Sequence, residues 1–137
     1  MKDETGDWIR YANENLAVAK LARRDGHLNA CIQNVQQSVE KALKAVVTEF
    51  GLPFRKTHSI AELHQLLVAA GRDCALTEEE CEILDAVYLP SKYPLGGVLP
   101  PVQIDSALCD ACIAAAERAL DTVRRHMPPS EDLEPPR

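Results

Sequence analysis

The sequence predicts an all-α fold, an antiparallel up-and-down helical bundle of four long helices plus a short one. Hydrophobic residues make up 46% of the chain but aromatic residues only 4%, so Ala, Leu and Val carry most of the apolar content, and this mixture favours helices over strands. Apolar residues recur every three or four positions, and no segment alternates with a period of two. With 137 residues, the chain can bury one core. We therefore expect a single domain over residues 1–127.

The first two helices are predicted from their apolar spacing and from the residues at their ends. Residues 8–24 have apolar side chains on one face, and Asp7 can cap this helix. Residues 29–50 form the second helix, because Gly51 and Pro53 end its pattern. The apolar stripe of this second helix consists of Cys31, Val35, Val39, Ala42, Val46 and Phe50.

Three capping signals predict the remaining helices. Ser59 with Glu62, and Thr77 with Glu80, have the spacing of a capping box, so a third helix begins after Ser59 and a shorter fourth begins after Thr77. Asp105 can cap the last helix. That helix has a narrow seam of small apolar residues, which lets neighbouring helices approach closely.

Two proline-rich segments fall outside these helices. Residues 90–103 contain four prolines and the pair Gly96-Gly97, and connections of this length are often functional. Residues 128–137 are acidic and rich in proline, so we expect a disordered tail.

The formal net charge of −6 argues against the broad basic surface that constitutive binding of long nucleic acid needs, so we expect no such binding. A local basic pocket around Arg55, Lys56 and Lys92 is still compatible with this charge. The chain has no apolar run long enough to cross a bilayer and no signal peptide, so we expect a cytoplasmic protein without membrane contact.

The five cysteines are predicted to be buried, reduced thiols. Cys109 and Cys112 have the spacing of a zinc ligand pair, but a matching second pair is missing, and they lie within an Ala-rich helix. The histidines do not have the spacing of a metal motif either. We therefore predict neither a metal site nor a cofactor. His64 is expected to be exposed or at the rim of the bundle.

The polar residues most suggestive of a site lie on the second helix and in the turn after it. Gln37, Glu40, Lys41 and Lys44 share one face of the helix, and the competing interpretation is a solvated network of i,i+4 pairs. His58 directly precedes a helix N-cap, where free backbone N–H groups can hold an anion. A histidine that only hydrogen-bonds the backbone is an equal alternative.

Several motifs together resemble the HEPN domain family, from about Trp8 to Arg125. They are Trp8 and Tyr11, then Cys31 followed by Gln36-Gln37-x-x-Glu40-Lys41-x-x-Lys44-Ala45, Lys56-Thr57-His58-Ser59-Ile60, and Ser91-Lys92-Tyr93-Pro94. The resemblance implies a usually dimeric bundle similar to the C-terminal helical domain of kanamycin nucleotidyltransferase. It also implies a minimal nucleotidyltransferase as partner, in a toxin–antitoxin-like pair, and a nucleotide as ligand.

One departure from the family concerns catalysis. Ribonuclease members carry an Arg and a His separated by four to six residues, and the nearest pairs here are Arg55-x-x-His58, Arg23-x-x-x-His27 and Arg125-His126. No catalytic residue is therefore predicted. The position of Lys92 is commonly Arg in relatives, and Lys lacks the planar fork that grips a phosphate in two places.

The leading hypothesis is a non-catalytic, dimeric module that binds a nucleotide or a similar anion. The predicted ligand-binding residues are Lys56, His58, Ser59, Lys92, Tyr93 and Lys41. Tyr93 has a competing interpretation as a hydrophobic plug, since prolines flank its segment. Two other functions compete with the leading one: a ribonuclease toxin with a non-standard Arg/His site, such as Arg55 with His58, and a purely structural dimerisation module.

Overall fold

A computed structural model describes residues 1–53, 56–92, 94 and 103–129. Within these residues all regular elements are helices: α1 (Asp3–Arg24), α2 (Leu28–Glu49), α3 (Ile60–Ala69), α4 (Glu78–Lys92) and α5 (Ser106–His126). The predicted all-α bundle is confirmed, but its short helix is the 10-residue α3 and not the fourth helix, which has 15 residues. Tyr93 and most of the predicted 90–103 loop lie outside the described residues, as do Arg55 and most of the predicted tail.

The start of α1 differs from the sequence prediction. The helix begins at Asp3, one turn before the predicted cap Asp7, and Asp7 instead pairs with Arg10 at 2.9 Å. Lys2 fixes this extra turn against the end of α2, because its backbone N–H donates to Glu49 Oε1 at 3.0 Å and its Nζ donates to a nearby backbone carbonyl at 2.9 Å. The two partners lie 47 and 46 residues from Lys2 along the chain, so a local sequence pattern could not predict these contacts.

The central element of the bundle is α2, which contacts all four other helices. Its predicted apolar stripe is buried from Cys31 to Val46, while Phe50 is half-buried. Four polar side chains of α2 are buried as well: Gln36, Ser38, Glu40 and Lys44. Buried polar groups are normally hydrogen-bonded, so each of these side chains requires a partner.

The predicted caps of α4 and α5 are confirmed. At α4, Thr77 Oγ1 accepts from the Glu80 N–H at 3.0 Å, and Glu80 Oε1 accepts from the Thr77 N–H at 2.9 Å. At α5, the Asp105 side chain accepts from the Leu108 N–H at 2.8 Å. Each cap satisfies backbone donors that the helix itself leaves unpaired.

All five cysteines are buried, and none of them forms a disulfide, as predicted. Burial raises the pKa of the Cys31, Cys74 and Cys81 thiols to about 12, which makes these thiols poor nucleophiles. In the described part of the chain, no group of three or more His, Cys, Asp or Glu residues is arranged to hold a metal ion. Nor do the described helices include one that is long and apolar enough to span a membrane.

Candidate functional site

The main polar cluster is built on one face of α2 by a buried ion pair. Lys44 Nζ lies 2.9 Å from Glu40 Oε2, and the two side chains are only 10% and 5% exposed. The i,i+4 spacing places both groups on the same helix face. His58, from the segment before α3, points Nδ1 at the same carboxylate oxygen at 3.3 Å while its side chain remains 76% exposed. The cluster therefore joins a buried carboxylate to an exposed imidazole.

This geometry corrects one interpretation of the sequence. The alternative for the polar face of α2 is a solvated network of i,i+4 pairs. Glu40 and Lys44 do form such a pair, but they are not solvated, because both side chains are buried. The Lys44 ammonium also lies 5.7 Å from the centre of the Trp8 ring on α1. Burying a charge is costly unless it is paired and hydrogen-bonded, and here the Lys44 charge has both a carboxylate and an aromatic face beside it.

The amide of Gln36 extends the cluster to the backbone of the turn. Its Nε2 lies 3.4 Å from Glu40 Oε1 and 3.4 Å from the carbonyl oxygen of His58. Gln36 is itself buried. The segment before α3 is thus held to α2 by contacts with both the side chain and the main chain of His58.

A second glutamine extends the polar contacts to the end of α4. Gln37 Nε2 donates to Gln36 Oε1 at 2.8 Å and lies 3.4 Å from the phenol oxygen of Tyr88. Lys92 Nζ donates to that same phenol oxygen at 2.9 Å. A continuous series of polar contacts therefore connects His58 with Lys92, two residues that the sequence analysis assigned to one site.

The N-terminus of α3 is occupied by a carboxylate of the protein itself. Asp85, on α4, accepts from the N–H groups of Ile60 at 2.8 Å and Ala61 at 3.0 Å, and from the Ser59 hydroxyl at 3.0 Å. The Glu62 N–H donates to Ser59 Oγ at 3.2 Å, which confirms Ser59 as the N-cap. The sequence predicts that these N–H groups can hold an external anion, and that expectation is wrong for Ile60 and Ala61 because Asp85 already accepts from them.

The other predicted site residues fall in two places. Lys56 is exposed, two residues before His58, and Lys92 is exposed at the last position of α4. Lys41 points elsewhere: its Nζ donates to Asn15 Oδ1 at 2.7 Å, and it lines a separate groove of about 290 Å³ between α1 and α2. The structure therefore brings His58 and Lys92 into one series of contacts and leaves Lys41 outside it.

His64 is a further correction. It is buried, at 7% exposure, rather than at the rim, and its Nδ1 has no hydrogen-bond partner among the described residues. The sequence spacing could have predicted this burial. The inner face of α3 follows the i, i+3, i+4, i+7 pattern, which here comprises Ile60, Leu63, His64 and Leu67. Asp85, by contrast, had no local sequence signal that linked it to α3.

Comparisons with known proteins agree with this fold. The chain matches the family model described as HEPN domain over residues 5–126. It is similar to TT1696 from Thermus thermophilus, with a TM-score of 0.75 and 24% identity over 92% of this chain and 100% of that one. It is also similar to ST0689, an archaeal HEPN homologue, with a TM-score of 0.66 and 29% identity over 91% of this chain and 98% of that one. A comparison with curated proteins gave no match.

Proposed function

Because the chain belongs to the HEPN family, as its motifs predicted, we propose that it is a non-catalytic module that binds a nucleotide or a similar anion. The proposed site comprises Lys56, His58 and Lys92, with Ser59 anchoring the turn and Tyr93 following Lys92 in the chain. The module acts as a homodimer and docks with a minimal nucleotidyltransferase in a toxin–antitoxin-like pair.

The observation that supports this site is the series of contacts from His58 to Lys92. The series connects the backbone carbonyl of His58, whose imidazole is exposed, with the exposed ammonium of Lys92, and Lys56 adds a second ammonium two residues from His58. Such groups bind phosphate oxygens through charge-assisted hydrogen bonds. Lys44 pairs with Glu40 and offsets its negative charge, so the Glu40 carboxylate next to His58 does not by itself prevent an anion from binding there.

The test is calorimetric titration of ATP into the wild type, Lys56→Ala and Lys92→Ala. A charge-assisted contact contributes roughly 1.5–3 kcal/mol, so each substitution should weaken binding about tenfold or more. Lys20→Ala is the matched control, because Lys20 pairs with Glu117 between α1 and α5 and lies outside the site. Wild-type protein that fails to bind even with its partner present, or binding that tolerates both site substitutions, would refute the site.

The proposed dimer is supported by exposed apolar side chains on α1. Tyr11, Val18 and Leu21 are 47%, 40% and 50% exposed, and their spacing places them on one side of the helix. A symmetric pair would bury the same surface of both copies. Light scattering at micromolar concentration should give twice the monomer mass, whereas a strict monomer would contradict the proposal. Co-purification with a nucleotidyltransferase encoded next to this gene tests the proposed partner.

A specific observation favours ribonuclease activity as the second candidate. Buried Glu40 faces Nδ1 of His58 while the rest of the imidazole is exposed, and a carboxylate in this position orients a histidine for proton transfer. Incubation of RNA with wild type, His58→Ala and the Lys20→Ala control separates the two functions. We expect no cleavage by any of them. Cleavage that is lost only in His58→Ala would replace the binding proposal with the enzymatic one.

A further inference from the structure

A groove at the start of α1 lies next to the Glu40–Lys44–His58 cluster, and the proposed phosphate site does not use it. The groove has a volume of about 350 Å³ and is bounded by the beginning of α1, the last turn of α2 and the residues that follow. Small-molecule pockets begin at roughly 300 Å³, so one ring system with its sugar is the scale of ligand that fits. Its lining includes Glu4, Trp8, Lys44, Val47 and Leu52.

The lining combines aromatic and aliphatic side chains with the charged groups of Lys2, Glu4 and Lys44. Trp8 is half-buried, and Val47 and Leu52 add aliphatic surface beside it. An indole face is a stacking surface for a nucleobase, and larger ring systems give more stacking area. Glu4 is exposed on the same groove, where its carboxylate can accept hydrogen bonds from an exocyclic amino group.

Lys44 connects this groove to the phosphate site. Its Nζ lies 5.7 Å from the centre of the Trp8 ring and 2.9 Å from Glu40 Oε2, the oxygen that lies 3.3 Å from His58 Nδ1. Three successive separations of 5.7, 2.9 and 3.3 Å thus lead from the indole ring to the imidazole. A nucleoside triphosphate is long enough to reach from one to the other.

The groove is also preformed, because Lys2 ties its two sides together. The backbone N–H of Lys2 donates to Glu49, and its Nζ donates to the carbonyl oxygen of Thr48 at 2.9 Å. These contacts hold the first turn of α1 against the last turn of α2. A ligand therefore does not have to bring the two helix ends together, which reduces the entropy lost on binding.

We propose that this groove binds the base of an amino-bearing purine nucleotide, stacked on Trp8, while its phosphates contact Lys56 and His58. The inference deepens the proposed function and rests on it for the position of the phosphates. It names a ligand class that the cationic surface alone does not specify. A phosphate surface without a base site would bind ATP, UTP and inorganic tripolyphosphate alike.

The first experiment uses the fluorescence of Trp8, which is the chain's single tryptophan. Excitation at the red edge of the tryptophan band, where nucleotides do not absorb, reports stacking directly. We expect quenching by ATP and by adenosine, weaker quenching by UTP, and none by tripolyphosphate. The Lys56→Ala variant should need about tenfold more ATP for the same quenching, with its response to adenosine unchanged.

Two variants sharpen the test. Trp8→Leu keeps an apolar side chain but removes the stacking surface, so calorimetry should show weaker ATP binding and unchanged tripolyphosphate binding; circular dichroism checks the fold. Glu4→Gln should reduce the preference for ATP over UTP. Glu14→Gln is its matched control on the same helix, because Glu14 lines the separate groove that contains Lys41.

The outcomes distinguish the base site from the phosphate site. Calorimetric ATP binding that depends on Lys56, without any change in Trp8 fluorescence, would overturn the base site and leave the proposed function intact. Quenching by adenosine and ATP that ignores Lys56→Ala would support the groove and refute the phosphate site. Equal quenching by ATP and UTP that Glu4→Gln does not alter would overturn the assignment to amino-bearing purines.

Discussion

Asp85 and Glu40 are two carboxylates beside the turn that leads into α3, and their partners are of different kinds. Asp85 accepts from two backbone N–H groups and the Ser59 hydroxyl, all at the N-terminus of one helix. Glu40 faces the side chains of Gln36, Lys44 and His58. Asp85 therefore occupies the N-terminus of α3 from within the protein. Glu40, in contrast, contacts an imidazole that is mostly exposed.

The comparison shows why a helix N-terminus is a poor guide to ligand binding. The positive end of α3 favours an anion, and the fold supplies one from α4. In the binding proposal, an external anion therefore contacts the side chains around His58 rather than the N–H groups of α3. We make four predictions in order of decreasing effect, and those on Glu40, Asp85 and His58 test this distinction.

Removal of one charge from the buried pair should have the largest effect. Glu40→Leu leaves the Lys44 ammonium in a site where it is only 10% exposed, so the free energy of unfolding should fall by about 3–5 kcal/mol. The double variant Glu40→Leu with Lys44→Met should recover most of this loss. Urea denaturation of the single and double variants measures the coupling. A double variant as unstable as the summed single variants would show that the two charges do not interact.

Asp85→Ala should have the next largest effect. The substitution removes three hydrogen bonds to the start of α3, and we expect a loss of about 2–3 kcal/mol in unfolding free energy. The control is Asp121→Ala, whose carboxylate is exposed and lies 3.6 Å from Arg124, with an expected change within about 0.5 kcal/mol. If both variants lose the same stability, Asp85 does not anchor α3.

The acid dependence of stability should include a smaller contribution from Glu80. Burial alone would raise the pKa of Glu80, but hydrogen bonds from Arg118 and the Thr77 N–H hold it below its ordinary value of 4.5. A lowered folded-state pKa stabilises the fold above 4.5, and this contribution disappears as the pH falls through the folded-state pKa. Because Arg118 is 46% exposed, the contribution should stay below about 1 kcal/mol.

Glu80→Gln should therefore lose stability at neutral pH and show a flatter decline below pH 4.5 than the wild type. Denaturant unfolding at several acidic pH values measures this difference. Glu117→Gln is the control, because that carboxylate is half exposed and pairs with Lys20. Parallel pH profiles for wild type and Glu80→Gln would contradict the assignment.

His58→Ala should have the smallest effect on stability and a clear effect on binding. The His58 side chain is 76% exposed, so its removal should change the free energy of unfolding by no more than about 0.5 kcal/mol. In the binding proposal, the same substitution should weaken ATP binding severalfold. Loss of stability without loss of binding would make His58 a structural residue that ties the turn to α2.

Local sequence patterns predicted the five helices, the caps at Ser59, Thr77 and Asp105, and the burial of the cysteines, because these features depend on residues a few positions apart. Long-range packing, in contrast, buries Glu40 and Lys44, places Asp85 at the N-terminus of α3 and begins α1 at Asp3. These features depend on residues that lie far apart along the chain. Glu40 and Lys44 become buried when the other helices pack around α2, and the carboxylate that accepts from the Ile60 N–H comes from 25 residues away.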